Sequence, residues 1–333
     1  MRIAVDVLGG DHAPGEVLKG VAQALKDDFR AEELVLAGPP GLVEAGLRAE
    51  GIDEIPMVLP TEEVIESHEK PVEGLRRKPN ASIALCVGAV KKGLAGGLIS
   101  FGNTGAAVAA ATFGLGMLPG MRRPAISVVL RGASGKLVLL DAGANPQAKA
   151  QHLYQYGLAG AAFARDMHGA ESPRVGLLNI GGEAGKGSPV VKEAHALLEA
   201  SSLNFVGNVE GQDLFAGAAD VLVADGFVGN MILKVVEGFV DYIVRESHAE
   251  ESAELRQIFR RLFGAADFAE VGGATLLGVD GVVLIGHGRS HANAVAPALR
   301  AVRGEMEAGV NRHIIEALRT EPEGSESAAA EGE

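Results

Sequence analysis

The hydrophobic pattern of the chain changes period repeatedly along its length. Short runs of β-branched and other apolar residues, such as 2–7 and 174–179, lead into turns that carry glycine or asparagine. Each turn is followed by a stretch rich in alanine and leucine with helical spacing, such as 148–166. Strands that alternate with helices are typical of βαβ units and parallel sheets. The pattern therefore predicts an α/β fold.

The predicted elements cover most of the chain. The predicted strands are 2–7, 33–37, 55–59, 94–100, 126–130, 136–141, 174–179, 204–207, 220–224 and 282–285. The predicted helices are 14–26, 40–50, 82–92, 105–115, 148–166, 189–201, 229–248 and 290–318. The turn at 131–135 is typical of an antiparallel hairpin, which indicates a mixed sheet or a junction between two lobes. We expect one catalytic unit over 1–320, with any lobe boundary near 145, and a disordered acidic tail over 321–333.

Composition and charge exclude several functional classes. The net charge is −13 and aromatic residues make up 4% with no tryptophan, so neither duplex nor single-stranded nucleic acid is an expected partner. Cys86 is the only cysteine, which excludes internal disulfides and a Cys-based zinc site. Asp6 stands where a signal peptide needs an apolar core, so a cytoplasmic protein is predicted. The uncharged stretch 93–121 is interrupted by glycine and asparagine, which favours strand, turn and helix over a membrane span.

Polar loops follow almost every predicted strand. Ligands of open α/β sheets bind beyond the carboxyl ends of the strands. Asp or Asn beside glycine favours a turn by itself, but six such loops at one rim predict a ligand cleft. The six loops are 6–12, 101–105, 141–145, 179–183, 225–230 and 286–290.

Several common motifs are absent. The stretch 181–188 resembles a P-loop, but its first glycine is one residue too close and Gly187 replaces the Ser or Thr that should follow the lysine. No Gly-x-Gly-x-x-Gly and no Gly-x-Ser-x-Gly occurs, which weighs against a nicotinamide cofactor and a serine hydrolase. His287 and His291 have metal-ligand spacing, yet the intervening glycine favours simple loop polarity. We predict neither a metal nor a cofactor.

Two segments are candidate anion sites. Asn103, Thr104 and Gly105 open a helix of small residues, whose free N–H groups and dipole attract anions, although an ordinary Asn cap explains the same residues. The stretch 181–188 precedes a second helix, and Lys186 there supplies a cation or is a solvated surface lysine. Two anion sites without a nucleotide fingerprint indicate phosphate, or a carrier that bears phosphate, as ligand.

A family resemblance extends this interpretation. The opening sequence IAVDVLGGDHAP at 3–14 resembles the signature of the bacterial phosphate acyltransferases (PlsX, acyl-acyl-carrier-protein:phosphate acyltransferases). The likeness covers about residues 1–318 in the family's order. It continues through RKPNAS at 77–82, GNTGA at 102–106, RPA at 123–125, LLDAGAN at 139–145, QY at 155–156, SPRVGLLN at 172–179, NFVGNVE at 204–210, DGFVGN at 225–230 and GGA at 272–274.

The resemblance implies a fold, a reaction and partners. The implied fold is a two-lobed αβα sandwich with a mostly parallel mixed sheet, Rossmann-like and similar to phosphotransacetylases and isopropylmalate dehydrogenases. The implied reaction transfers a fatty acyl group from acyl carrier protein to inorganic phosphate, giving acyl phosphate for phospholipid synthesis. Family members are usually homodimers, associate peripherally with the membrane, and pass acyl phosphate to a membrane glycerol-3-phosphate acyltransferase.

We expect phosphate to attack the thioester directly, because Cys86 falls in the middle of an apolar helix and is a poor nucleophile. Direct attack needs a held phosphate, a charge partner or base, and donors to the developing oxyanion. The predicted phosphate and substrate contacts are Gly10, Asp11, His12, Asn103, Thr104, Gly105 and Asp141, of which Asp141 is expected mainly to brace the loops. The predicted catalytic residues are Lys186 for charge neutralisation, Asp225 as orienting group or base, and Asn230 and Asn145 as donors.

Two further surfaces are predicted from charge and spacing. Acyl carrier protein is acidic, so an acidic enzyme needs a local basic dock. The candidates are Arg76, Arg77, Lys78, Arg122 and Arg123, although solvated faces explain both clusters equally well. Apolar residues with helical spacing at Leu255, Phe259, Leu262 and Phe263 fit membrane contact, or else packing in a dimer or core.

Three other functions remain open at this level. A phosphotransacylase that uses coenzyme A thioesters would share the loops. A dehydrogenase of the isopropylmalate type is weakened by the missing metal-carboxylate cluster and dinucleotide fingerprint. A non-catalytic scaffold that binds acyl carrier protein would not need glycine and asparagine at so many strand ends.

Overall fold

The computed structural model describes residues 1–249 and 272–320. The strands are β1 (Ile3–Asp6), β2 (Leu34–Gly38), β3 (Met57–Pro60), β4 (Gly97–Ser100), β5 (Ala125–Gly132), β6 (Gly135–Leu140), β7 (Arg174–Asn179), β8 (Asn204–Glu210), β9 (Val221–Val223), β10 (Ala274–Leu277) and β11 (Val282–Ile285). The helices are α1 (Gly15–Asp27), α2 (Pro40–Ala49), α3 (Pro71–Arg77), α4 (Ser82–Lys91), α5 (Thr104–Gly114), α6 (Ala150–His168), α7 (Pro189–Glu199), α8 (Gly226–Ala249), α9 (Ala292–Ala308) and α10 (Val310–Thr320).

The strands form one 11-stranded sheet with helices on both faces, in the order β3-β2-β1-β4-β11-β10-β5-β6-β9-β7-β8. Alternate residues of a strand point to opposite faces. In β1, Ile3 and Val5 therefore pack in the apolar cluster that contains α1 and α9, whereas Ala4 packs in the cluster that contains α4 and α5. A third cluster joins α6, α7 and α10 to β6, β7 and β9. This is the αβα sandwich that the sequence predicted.

The sheet changes direction near its middle. The strands β1, β2, β3, β4 and β11 pair in parallel, and so do β6, β7, β8 and β9. Between these groups, β10 is antiparallel to both β11 and β5, and β5 is antiparallel to β6. The two parallel groups consequently run in opposite directions.

This reversal corrects the prediction that six polar loops meet at one rim. The loops 6–12, 101–105 and 286–290 follow strands of one group, and the loops 141–145, 179–183 and 225–230 follow strands of the other. The carboxyl ends of the two groups lie at opposite ends of the sheet. The prediction was wrong because the 131–135 hairpin reverses the chain and because four-residue β10 was not recognised.

Other differences from the prediction are local. The closing helix predicted over 290–318 is two helices, α9 and α10, since Gly309 adopts a φ of 67° at the end of α9. Helix α3 was not predicted. Cys86 is buried, as expected, and burial raises the pKa of its thiol well above the ordinary value. Among the helices of the two described segments, none is long and apolar enough to cross a membrane. The predicted tail, 321–333, lies outside the described residues.

Candidate active site

A cleft of about 600 Å³ lies between α5 and α8, over the middle of the sheet. Helix α5 follows β4 and α8 follows β9, two strands that run in opposite directions. The two helices therefore begin at opposite ends of the cleft and form its two walls.

The α5 wall is one face of the helix. Its residues recur every four positions, the spacing that places side chains in rows along a helix. One row is Thr104, Val108 and Thr112, and the other is Gly105, Ala109 and Phe113. The alanines at 106, 107, 110 and 111 face the core instead. Apart from Phe113, small and β-branched side chains form this wall, which is therefore open and mostly apolar.

The α8 wall carries the polar groups. Asn230, Lys234 and Glu237 share one helix face with Leu233 and line the cleft. The Nζ of Lys234 lies 2.7 Å from Oε2 of Glu237. This wall therefore changes from an amide near the start of α8 to an ion pair two turns further on.

The floor of the cleft is apolar and crosses three strands. Ile126 and Val128 contribute from β5, Ala274 from β10 and Ile285 from β11. Ala274 pairs with Ile285, and the neighbouring pair Thr275–Ser127 puts Val128 at the same level. Ile126 lies two residues further along β5, about 7 Å away. The floor is a continuous apolar path between the two ends of the cleft.

The cleft has two polar ends, which we name the first end and the second end. The first end comprises Thr104, Gly105 and the loop 286–288, and the second end comprises Arg123, the loop 142–145 and Asn230. From Thr104 to Phe113, α5 rises about 14 Å. The C-terminal end of α5 lies beside the second end. Gly116 and Leu118, which follow α5, form backbone hydrogen bonds with the β10–β11 turn, and this turn packs against Pro124. Judged by the length of α5, the two ends are about 14 Å apart.

The second end is built around the buried carboxylate of Asp141. Its Oδ1 accepts hydrogen bonds from the backbone N–H groups of Ile126 (3.0 Å), Gly143 (3.0 Å) and Ala144 (2.8 Å), and its Oδ2 accepts one from Asn145 N (2.7 Å). Burial raises the pKa of Asp141, while these hydrogen bonds oppose the rise. Asp141 therefore fixes the 142–145 loop from below and does not contact the cleft.

The N-terminus of α8 packs directly on this loop. A side chain at Gly229 would clash with the carbonyl oxygen of Asp141, so only glycine allows the approach. Asp225 Oδ1 accepts a hydrogen bond from Val228 N at 2.8 Å and so caps α8. Asp225 does not line the cleft, and its carboxylate serves the helix. The close packing brings Asn230 beside Gly143 at the second end.

Asn145 is held in place by its neighbours. Its Nδ2 donates to the carbonyl oxygen of Pro124 and to the hydroxyl of Tyr156, 2.9 Å away. Tyr156 is fully buried, and burial raises the pKa of its hydroxyl, which therefore stays neutral. Asn145 thus lines the cleft while its amide ties the loop to the start of β5. Asn230 and Arg123 are exposed and face the same end.

At the first end, the Asn103 side chain is already engaged. Its Oδ1 accepts from Ala106 N at 3.0 Å, which makes it the N-cap of α5. Its Nδ2 donates to the carbonyl oxygens of Glu66, Ser67 and Glu69. The ordinary Asn cap therefore accounts for the contacts of the Asn103 side chain, and its predicted contact with phosphate stays a prediction. The N–H groups of Thr104 and Gly105 precede any intrahelical acceptor.

The predicted loop 9–12 lies behind the first end. Asp11 N donates to Gly288 O at 2.8 Å, and the His12 ring stacks on His291 at 4.5 Å. Gly10, Asp11 and His12 do not line the cleft. Beneath them, buried Asp6 accepts hydrogen bonds from Gly9 N (3.0 Å) and from the Ser100 hydroxyl (2.6 Å), and burial raises the pKa of its carboxyl.

His287 lines the first end, although the sequence singled it out only as a weak metal ligand. Its Nδ1 accepts a hydrogen bond from Arg289 N at 3.1 Å. Burial lowers the pKa of His287, so the neutral ring is favoured near neutral pH. Within residues 1–249 and 272–320, no group of three or more His, Cys, Asp or Glu side chains is arranged to hold a metal ion.

Lys186 lies outside the cleft lining. It sits in the loop after β7, where its N donates to Glu183 O at 3.0 Å and its O accepts from Asn179 Nδ2 at 3.1 Å. Because β7 neighbours β9 and runs parallel to it, this loop lies at the same sheet edge as the second end.

The two predicted basic clusters differ in their partners. Arg77 and Lys78 both form ion pairs with Glu69, at 2.9 and 2.6 Å, and Arg76 is exposed. Arg122 and Arg123 are exposed next to the second end, and together with Lys149 they help burial to lower the pKa of His152. The second cluster is therefore the more positive surface at the cleft. The predicted membrane contacts Leu255, Phe259, Leu262 and Phe263 lie outside the described residues.

Arg123, Lys234 and Glu237 line the cleft. The sequence predicted Arg123 only as a docking residue and made no prediction for the α8 pair. A signal for the pair exists, because Asn230, Lys234 and Glu237 follow the helical spacing i, i+4, i+7.

Comparisons with known proteins place this site in context. A family model described as fatty acid synthesis protein matches residues 1–313. Proteins named phosphate acyltransferase from Nitratidesulfovibrio vulgaris and Heliobacterium modesticaldum are 41% and 42% identical over 327 and 330 residues. The matches cover 95% and 96% of this chain and 94% and 97% of those proteins.

Solved structures share the fold at low identity. A phosphotransacetylase from Streptococcus pyogenes has a TM-score of 0.61 at 19% identity, covering 96% of this chain and 94% of that chain. A branched-chain phosphotransacylase from Enterococcus faecalis has a TM-score of 0.58 at 16% identity, covering 92% and 99%. These neighbours show the fold that the sequence predicted.

Proposed function

The chain belongs to the phosphate acyltransferase family, an enzyme family, and on this premise we propose that it transfers a fatty acyl group from acyl carrier protein to inorganic phosphate. Phosphate attacks the thioester carbonyl, the carbon–sulfur bond breaks, and acyl phosphate and the carrier thiol leave. The observation that carries the proposal is the second end of the cleft, where exposed Asn230 and Arg123 and the start of α8 meet an apolar floor.

Direct attack is supported by the composition of the cleft. Among the described residues that line it, none is a serine or a cysteine, and Cys86 is buried elsewhere. Serine and cysteine with an adjacent base are the usual nucleophiles of acyl-enzymes. Phosphate ionised near neutral pH is itself nucleophilic, so the protein has to hold it and to stabilise the oxyanion.

The second end supplies these needs. Arg123 neutralises phosphate charge, while Asn230 and the first N–H groups of α8 donate to phosphate or to the oxyanion. Asn145, Asp141 and Asp225 act as positioning residues, since their polar atoms hold the loop and cap the helix. Phosphate bound at Thr104 and Gly105 would be about 14 Å from these donors and could not attack a thioester there.

We also propose that Lys186 adds positive charge from the neighbouring β7 loop. Alanine at Lys186 should lower turnover and leave the fold intact, and alanine at Arg123 should lower turnover further because Arg123 lines the cleft. The measurement is phosphate-dependent thiol release by each variant. Wild-type activity after Lys186→Ala would remove Lys186 from the site.

The carrier protein is proposed to dock beside the second end. Arg122, Arg123 and Lys149 form a positive surface there, which suits an acidic partner. A thioester that enters from this side reaches Asn230 before it reaches the first end.

A homodimer and a peripheral membrane contact complete the proposal. Phe227, Met231 and Val235 expose 61%, 52% and 63% of their surface as a stripe along α8, which suits packing against a second copy. Light scattering of wild type and Val235→Glu tests the dimer. The membrane contact rests on the sequence spacing at 255–263, and unchanged liposome binding after Phe259→Glu and Phe263→Glu would exclude it. The acyl phosphate would then pass to a membrane glycerol-3-phosphate acyltransferase.

The test of the function is thiol release from a long-chain acyl carrier protein, with and without phosphate, with acyl phosphate trapped by hydroxylamine. A parallel reaction uses the matching coenzyme A thioester. Phosphate-dependent release from the carrier protein alone supports the proposal. Release from coenzyme A alone would make the protein a phosphotransacylase, and no release from either would favour a binding scaffold.

A further inference from the structure

The apolar floor has no role in the attack itself. Ile126, Val128, Ala274 and Ile285 form it, and they begin at the second end and continue toward the first. Val108 and Leu233 face it from the two walls. An apolar path that opens from a reacting centre favours an alkyl chain over water or a polar group.

Resting on the proposed function, we propose that this floor holds the acyl chain, which extends from the thioester at the second end toward the first end, and that Ala109 determines which chain lengths fit. Ala109 is half-buried in the α5 wall and lines the cleft. Its side chain is a single methyl group. A larger side chain at this position projects into the path.

The position of Ala109 gives the proposal a length scale. Ala109 precedes Phe113 by four residues on the same face of α5, so it lies about 6 Å from the second end. An extended alkyl chain advances roughly 1.25 Å per carbon–carbon bond, from ordinary single-bond geometry. The chain therefore passes Ala109 after about five carbons. A butyryl chain ends before this point, whereas octanoyl and palmitoyl chains pass it.

The first end limits the floor at its other side. Lys234, Glu237 and His287 line the cleft where the apolar residues stop. An alkyl chain gains nothing by displacing water from charged groups. Along α8, Glu237 lies about 10 Å beyond Asn230, so roughly eight carbons fit before the ion pair, and longer chains extend beyond it.

The experiment compares chain-length profiles of full-length wild type, Ala109→Leu and Ala109→Val. For each protein, kcat/KM of phosphate-dependent thiol release is measured with butyryl-, octanoyl- and palmitoyl-acyl carrier protein. The control is Ala45→Leu, the same substitution at an exposed position of α2, far from the cleft. Thermal denaturation of each variant reports whether it folds.

The proposal predicts that Ala109→Leu lowers kcat/KM about tenfold for octanoyl and palmitoyl substrates and leaves butyryl within about twofold. Ala109→Val should lower kcat/KM for the same substrates by a smaller factor. If the leucine variant does not fold, the valine variant alone tests the proposal. Equal losses on all three substrates, or an unchanged profile in both variants, would overturn the proposal. If wild type shows no phosphate-dependent release with any substrate, the proposed function itself fails.

Discussion

The two ends of the cleft are built alike but are braced to different extents. Each has a buried aspartate at a strand end beneath a glycine-containing loop, Asp6 under the first end and Asp141 under the second. Asp141 accepts four backbone N–H groups, whereas Asp6 accepts Gly9 N and a serine hydroxyl. The second end, where the aspartate accepts more backbone N–H groups, carries the exposed amide and guanidinium groups. We therefore propose that the reaction takes place at the second end, because preorganised donors are effective only when they are fixed.

The largest expected effect separates the two ends by activity. Asn230→Ala removes a donor at the second end and should lower kcat about 10²- to 10³-fold. Thr104→Ala at the first end removes one exposed hydroxyl group and leaves the backbone N–H groups in place. It should change kcat by less than about threefold. Steady-state thiol release with saturating phosphate checks both. The reverse order would move the reaction to the first end.

The next effect concerns the two aspartates and is read as stability. In Asp141→Asn, the new NH₂ group points either at Asn145 N–H or at the three N–H groups that bond to Oδ1. In both orientations a donor faces a donor. We expect a loss of about 3 kcal/mol in the free energy of unfolding. In Asp6→Asn, the amide can donate to Ser100 Oγ after the hydroxyl rotates, and the expected loss is below about 1.5 kcal/mol.

Urea denaturation of both variants measures these losses. Asp141→Asn should also lower activity at temperatures where it remains folded, because the 142–145 loop loses an anchor. Equal destabilisation by the two substitutions would remove the difference on which the comparison rests.

A third effect concerns β10, the strand between the two ends. Thr275 Oγ1 donates to Glu305 Oε1 at 2.5 Å, and burial raises the pKa of Glu305 from 4.5 to about 8. The folded chain therefore holds a proton that the unfolded chain releases above pH 4.5. The stabilising contribution is fully present below pH 4.5 and is lost as the pH rises through about 8.

Glu305→Gln should abolish this loss and make the protein more stable than wild type at alkaline pH. Thermal denaturation between about pH 5 and about pH 9 measures it. Glu307→Gln, at an exposed position of the same helix, is the control. If the Tm of wild type and the Tm of Glu305→Gln changed with pH in the same way, Glu305 would not be the group that holds the proton.

The smallest effect tests which basic cluster receives the carrier protein. Arg122→Glu with Lys149→Glu should raise KM for acyl carrier protein about tenfold at low salt, and less at high salt. Arg76→Glu with Arg77→Glu, near the first end, should have a smaller effect, since Arg77 is already paired with Glu69. Initial rates at two salt concentrations distinguish the clusters.

The sequence predicted the fold better than the arrangement of the site. Strand-and-helix periodicity placed β1, β7 and α5 within one or two residues, since each has a strong local pattern. It missed β10, because four residues after two glycines give no periodic signal. Without β10, the sequence did not predict the reversal of strand direction, and it placed the six polar loops at one rim.

The site shows the same limit. Thr104, Gly105, Arg123, Asn145 and Asn230 line the cleft, but their distribution between two ends depends on strand direction. For Asn103, the sequence left both a cap and an anion site open. Its contacts as N-cap depend on where residues 66–69 lie in space, which the sequence does not give.

The central claim is that phosphate attacks the thioester directly at the second end. The most direct test mixes enzyme, in amounts comparable to substrate, with palmitoyl-acyl carrier protein and follows thiol release and the intact mass of the enzyme. Without phosphate, the account predicts neither a burst of thiol nor an acylated protein, and with phosphate it predicts release together with acyl phosphate. A phosphate-independent burst that matches the enzyme concentration, with an acyl group on the chain, would contradict it.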